Sequence, residues 1–441
     1  TADTTTADTT TADTSGADTG HDAGTTDTGH DSGAADTGTA DTGHDSGATD
    51  TGTVFAIAPH PAMPQVLDQG GNVLKSPVFQ SISFKGYDQT SDVDTMVDTV
   101  GTLPYWAGAV GEYGVGTPTV QPPVHLTETA LSSYADSDVQ ALLQPWIDAG
   151  TIATPTSEMI YVISFPKQTT LTDTSGNTSC IAGGFGGYHG TAQVTKAGSS
   201  KRINVQYAVI PECEPDPDAG FVDPAIKSTT EAISHELVEA VTDPLVGIGR
   251  LTWYGTDPAF QPWATVLGIG ELGDACSLYQ SSYYQPAGYA YFLQRTWSNK
   301  NAAASHDPCA PELDGEICVN AATVLPDTGV TMLDPNGNTV GTTGVLIAQG
   351  SSKTIEVDLF SDAPMANWTV SAEDLPMQTP APATPNLSFA WDKTTGNNGD
   401  KLHLTITFNT IDPTVDGALF FVHSTLDTTH VHHWIGYVGY H

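Results

Sequence analysis

Between residues 54 and 210 the chain alternates short apolar runs with polar stretches. Runs at 54–58, 78–84, 159–165 and 203–210 are rich in β-branched and aromatic residues, which predicts strands. Helical spacing appears at 92–100, with Ser91 as its cap, and at 138–147. The clearest helical pattern is 224–242, PAIKSTTEAISHELVEAVT, where Ile226, Ala232, Ile233, Leu237, Ala240 and Val241 recur at helix period. Asp223 is placed to cap this helix, Pro224 suits its first position, and Asp243-Pro244 stops it. Strands interleaved with helices predict a mixed α/β region over 53–312.

The pattern changes after the joint at 313–319. Alternating or β-branched runs follow at 344–348, 354–360, 368–372, 387–391, 402–408, 418–423 and 430–438, separated by turn clusters such as DPNGN and TTGNNGD. LHLTITF has the two-residue period of a half-buried strand. Many short strands in one stretch predict an all-β, immunoglobulin-like sandwich over 313–441. Such modules attach, space or bind.

Residues 1–52 follow neither pattern. They consist almost wholly of Thr, Ala, Asp, Gly, Ser and His in five-residue units (TADTT, TADTS) and then nine-residue units (GHDAGTTDT, GHDSGAADT, GHDSGATDT). With no large apolar side chain before Val54, the segment buries nothing to offset an ordering entropy of about 1–2 kcal/mol per residue. It reads as a low-complexity tail, extended as a tether or stalk. Thr4, Thr9, Thr14, Thr19, Thr28, Thr37, Thr42 and Thr51, each following an Asp, are candidate O-glycosylation sites that would stiffen it. The tail or the β-sandwich is also the expected route to any self-assembly.

Charge narrows the partners. The chain holds 51 acidic and 13 basic residues for a formal net charge of −38, and the first basic residue is Lys75. A polyanion of this strength repels phosphate, which excludes nucleic acid as a partner. No apolar run reaches the roughly 18–20 residues of a transmembrane helix.

The chemistry lies on the 224–242 helix. His235-Glu236-Leu237-Val238-Glu239 reads H-E-x-x-E. His235 and Glu239 are one turn apart on one face and can grip one metal ion, while Glu236 projects about 100° away. This is the H-E-x-x-H pattern with its second His replaced by Glu, and it casts Glu236 as general base toward a metal-activated water. The third ligand is expected from the loop GELGDAC, with Asp274 first and Glu271 as its substitute. One divalent cation is implied, zinc first. The two carboxylates leave calcium or manganese competitive. His189, in the Gly-rich stretch GGYHG, reads as a loop residue able to bind substrate or stabilise an oxyanion. His430 and His432 would share one strand face, either as a chelate or as a polar rim. Five cysteines leave one over, and their spacing alone does not choose the pairs.

In order along the chain, VFQSISFKGYD, LPYWAGAVGEYGVG, SEMIYVISFP, SCIAGGFGGYHG, INVQYAVIPEC, AISHELVEAVTDP, GELGDACSLY and YFLQRTWSNKNAAASHDPC resemble the phosphate-induced, exordium-like family of secreted proteins and its bacterial relatives. The resemblance implies an α+β, zincin-like fold with a metal-site signature and no settled activity. It also implies the disulfides Cys180–Cys213 and Cys276–Cys309, with Cys318 left over. The tail resembles the Asp/Thr/Gly tethers of bacterial surface lipoproteins. The expectation is an extracellular or cell-surface, metal-dependent hydrolase, most simply a peptidase acting on peptide or a cell-surface polymer. The competing expectation is a filament or stalk subunit carrying an inactive protease-like domain.

Overall fold

The apolar runs at 78–84, 159–165 and 203–210 assemble into one central sheet. The computed structural model describes residues 55–215, 223–427 and 430–440. In it, β1 (Val78–Lys85), β2 (Met159–Phe165) and β4 (Arg202–Pro211) run parallel, and β3 (Tyr188–Thr195) closes the far edge antiparallel to β4. Beyond β1, the short strands Thr119–Val120 and Val124–Thr129 form the opposite edge, interrupted at Pro122-Pro123, where ladder donors are lost.

All seven residues of β2 are buried, as expected for a strand covered on both faces. Ile160, Val162, Ala208 and Ile210 belong to the apolar cluster that includes Ile233, Leu237, Val238 and Val241 of helix α3 (Ala225–Thr242), which also takes in α1 (Thr90–Thr99) through Val93, Met96 and Val97. Tyr161, Ile163, Phe165, Val205 and Val209 belong to the opposite cluster with Val139, Leu143, Trp146 and Ile147 of α2 (Asp136–Asp148).

Four local expectations need correction. Residues 55–58 form no strand, and residue 54 lies outside the described residues. Their backbone is held by a side chain instead: Asn398 accepts from Ala58 N at 3.0 Å and donates to Ala56 O at 2.9 Å. Asp223 does not cap α3, because its carboxylate is taken by Lys227 Nζ at 2.7 Å, and Pro224 occupies the N-cap. Ser91 lies inside the first turn of α1, whose N-cap is Gln89. His189 is on a strand, not in a loop: Tyr188, Ala192 and Val194 point into the α2 side of the core, while Thr191 bonds Pro244 O at 2.8 Å on the α3 side.

The C-terminal part is a pair of sheets. One has the order β5 (Val319–Thr323), β6 (Ser352–Ser361), β9 (Lys401–Phe408), β8 (Leu387–Trp391). The other has Val345–Leu346, β11 (Val431–Gly439), β10 (Ala418–Thr425), β7 (Trp368–Leu375) and Thr395–Gly396. Leu402, Leu404, Ile406 and Phe408 are buried on alternate positions of β9, so period-two patterning fixes its inner face. β5 lies against β10 and β11 across the two sheets.

The apolar cluster on the α3 side of the central sheet continues into the C-terminal sheets, where it takes in Val319, Leu359, Phe420 and Trp434. Trp263, on helix α4 (Gln261–Leu267), sits edge-on to Trp434 of β11 at 5.3 Å and to Trp297 at 6.4 Å. Among the described residues no helix is long and apolar enough to cross a membrane.

Candidate metal centre

α3 is buried along nearly all of its last fourteen residues, so the H-E-x-x-E motif faces protein and not solvent. His235 Nε2 lies 3.1 Å from Glu239 Oε2, as the one-turn spacing requires, and 3.8 Å from Asp274 Oδ1. These three residues form a ligand triad with donor atoms within 4.8 Å of one another. Asp274 reaches the helix because the loop bends at Gly273: its own N–H donates to Glu239 Oε1 at 3.1 Å. A Cβ at 273 would stand 2.6 Å from His235 Nδ1 and 2.7 Å from Glu239 Oε1, so only glycine leaves the pocket open.

Gln294 orients the imidazole. Its Oε1 is 2.9 Å from His235 Nδ1, and its Nε2 donates to Gly273 O at 2.7 Å. The backbone of Gln294 is pinned too, its N–H donating to Ser234 Oγ at 2.9 Å and its carbonyl accepting from Tyr105 at 2.7 Å. The residues carry no motif that marks this role; YFLQRTW reads only as a segment of the family resemblance. Holding the outer ring nitrogen in this way leaves Nε2 free for a ligand bond.

His189 enters from β3. Its Nδ1 is 3.2 Å from Glu236 Oε2 and 3.6 Å from Glu239 Oε2; its Nε2 is 3.3 Å from Glu271 Oε1. His189, Glu239 and Glu271 make a second triad. Gly187 gives Glu236 its room, since a Cβ there would be 3.0 Å from Oε1. All of the residues expected at the site therefore converge: His189, His235, Glu236, Glu239, Glu271 and Asp274. Glu271 is not a substitute for Asp274 but stands at a different corner. The period-two pattern of YHGTAQVT was the signal for β3, obscured by the preceding glycines.

The electrostatics are those of a low-dielectric cluster. Burial alone would lower both imidazoles, but the carboxylates outweigh it: Glu239 and Glu236 hold His235 well above the usual histidine range, and Glu271 and Glu236 do so for His189. Burial raises Asp274 well above the carboxylate range and Glu271 to about 8, with Glu239 adding to both. For Glu239 the imidazole of His235 overrides burial and lowers it. Asp243, at the end of α3, is raised to about 6 by burial; its Oδ1 accepts from Thr252 N at 2.8 Å.

This arrangement suits a divalent cation. The donors are imidazole and carboxylate, a set that zinc and manganese both accept. His189 Nε2 and Glu271 Oε1 are buried, and neither makes a hydrogen bond. The cradle at Gly273 would be filled by any larger side chain.

Both disulfides form, Cys180–Cys213 and Cys276–Cys309, each spanning 33 residues, while Cys318 is buried and free. Cys276 is two residues from Asp274, so the second bridge anchors the ligand loop. On chain entropy each closure is worth about 4 kcal/mol. The tail threonines proposed for glycosylation lie outside the described residues.

A third acidic group, Asp307 and Glu316 with His432, is of another kind. Arg295, fully buried, reaches Asp307 at 3.0 Å and Glu316 at 3.2 Å, and His432 Nε2 lies 3.6 Å from Asp307. Here the chain supplies its own cation, and His432 docks β11 onto the α/β part. His430 contacts Asp427 at 2.8 Å, so a His430–His432 chelate is not formed. No protein-family model matches the chain, and no curated protein matches it.

Proposed function

We propose that this is an extracellular metal-dependent hydrolase, a bacterial relative of the exordium-like family. On this reading a zincin-like α+β domain is followed by an immunoglobulin-like sandwich. The observation that carries it is the convergence of His235 Nε2, Glu239 and Asp274 with Glu236 beside them on the same helix. His235, Glu239 and Asp274 would hold the ion. A divalent cation in such a site supplies Lewis-acid polarisation of a carbonyl and of water.

The remaining steps belong to the chain's own groups. Glu236 would take a proton from the attacking water at its carboxylate and pass it to the leaving amine as the C–N bond breaks. His189, 3.2 Å from Glu236 Oε2 and 3.3 Å from Glu271, positions that carboxylate. A peptide is the substrate class the H-E-x-x-E pattern favours. The test is Glu236→Gln in metal-loaded protein: turnover of a peptide library falls at least about 100-fold with metal content unchanged. Turnover that survives the substitution overturns the assignment.

One observation favours a second reading. The six site residues are each at most 5% exposed, which suits a closed ion that staples β3, α3 and the 271–274 loop together. Under that reading metal removal lowers stability, and no peptide is cleaved by the wild-type protein. The disulfides fit an oxidising compartment under either reading.

A further inference from the structure

We propose that the centre binds two cations, with Glu239 as the bridging carboxylate; this rests on the metal-centre reading above. The two triads, His235/Glu239/Asp274 and His189/Glu239/Glu271, share only Glu239. Each contributes one imidazole and one private carboxylate. Glu239 Oε2 faces both imidazoles, at 3.1 Å from His235 Nε2 and 3.6 Å from His189 Nδ1.

Charge carries the argument further. Glu236, Glu239, Glu271 and Asp274 bring four formal negative charges into a buried pocket. Among the described residues no Lys or Arg pairs with any of them; their basic partners are His189 and His235. With the four carboxylates ionised and the imidazoles neutral, as ligation requires, one divalent ion leaves these groups two charges negative, and two ions neutralise them. Uncompensated buried charge is costly enough that folded proteins avoid it. The Asp307–Glu316 group provides the contrast, because Arg295 sits within it.

An independent sign of the second ion lies in the His189 corner. His189 Nε2 and Glu271 Oε1 are buried, face one another at 3.3 Å, and make no hydrogen bond. Two buried donor atoms that face one another without a hydrogen bond are donors that a cation would satisfy.

The test is metal stoichiometry of the full chain. Protein stripped with chelator and dialysed against Zn²⁺ is expected to hold about two ions per chain by elemental analysis. The isosteric variant Glu271→Gln and the variant His189→Ala are each expected to hold about one, with thermal melting confirming that each is folded. Loading with Mn²⁺ adds a second readout, because two manganese ions bridged by one carboxylate couple magnetically and change the paramagnetic resonance spectrum. One ion in the wild type, unchanged by Glu271→Gln, overturns the two-ion centre and leaves the hydrolase reading standing. No ion in the wild type overturns both. Two ions in wild type and in both variants overturns the ligand assignment at the His189 corner.

Discussion

Gln294 Oε1 sits 2.9 Å from His235 Nδ1 while the same amide's nitrogen donates to the Gly273 carbonyl at 2.7 Å. A carbonyl only accepts, so the amide nitrogen must face Gly273 and the amide oxygen must face His235. Gln294 therefore keeps a proton on His235 Nδ1 when the ring is neutral, and Nε2 is the nitrogen left to a metal. Replacing Gln294 with Leu removes this orientation without touching a ligand. Metal affinity is expected to fall about 10–100-fold, as for other outer-shell partners of ligating histidines. Competition with a chelator of known affinity measures it; an unchanged affinity means that Gln294 only packs.

Gly273→Ala tests the cradle. The added methyl would meet His235 Nδ1 and Glu239 Oε1 at under 3 Å, so the imidazole or the carboxylate must move. The expected cost is about 1–3 kcal/mol in stability, typical of overpacking, with weaker metal binding as well. Denaturant melts with and without metal separate the two effects. A variant that matches the wild type in both shows that the loop has room the structure does not allow.

The metal-free protein should lose stability as pH rises. Glu271 is raised to about 8 and Asp243 to about 6, so between the ordinary carboxylate range and these values the folded state holds protons that the unfolded chain has released. Their stabilising contribution is complete below the unfolded pKa and is lost as pH passes through the folded one. The raised imidazoles of His189 and His235 act in the same direction above about pH 6.5. Melting temperatures of stripped protein should fall from pH 5 to pH 8, and added metal should restore more at pH 8 than at pH 5. A metal-induced shift that is larger at pH 5 contradicts the cluster's protonation as described.

Much of the architecture was legible in the chain. The runs at 159–165 and 387–391 match β2 and β8 residue for residue, because a fully buried strand and a clean alternation both write strong patterns. Helix α3 is legible from its apolar spacing. The strand at His189 leaves a weak local pattern, because it depends on β4 as partner and on α3 covering one face, and both are distant in sequence. Asp223 has the sequence position of a cap, but a free carboxylate at a helix start has two uses, and here Lys227 claims it. Gln294 had no local signal at all: its role comes from the 2.9 Å contact across 59 residues of chain.

The junction with the C-terminal pair of sheets should weaken if Asp307 is removed. Burial would raise this carboxyl, but the Arg295 guanidinium outweighs it and holds it far below the usual range. Its stabilising contribution is present above the unfolded pKa near 4 and is lost as pH falls toward the folded value. Asp307→Ala leaves a buried guanidinium with Glu316 alone and is expected to cost about 3–5 kcal/mol. Denaturant titration of the full chain measures it. A loss below about 1 kcal/mol means that Arg295 finds water or another partner.

The most direct test of the metal centre is a diffraction experiment on crystals grown with Zn²⁺, with data collected on both sides of the zinc absorption edge. The account predicts an anomalous peak bounded by His235 Nε2, Glu239 and Asp274, at about 2.0–2.2 Å from each ligand atom. An ordered His235 and Glu239 with no peak between them, in zinc-saturated crystals, contradicts it.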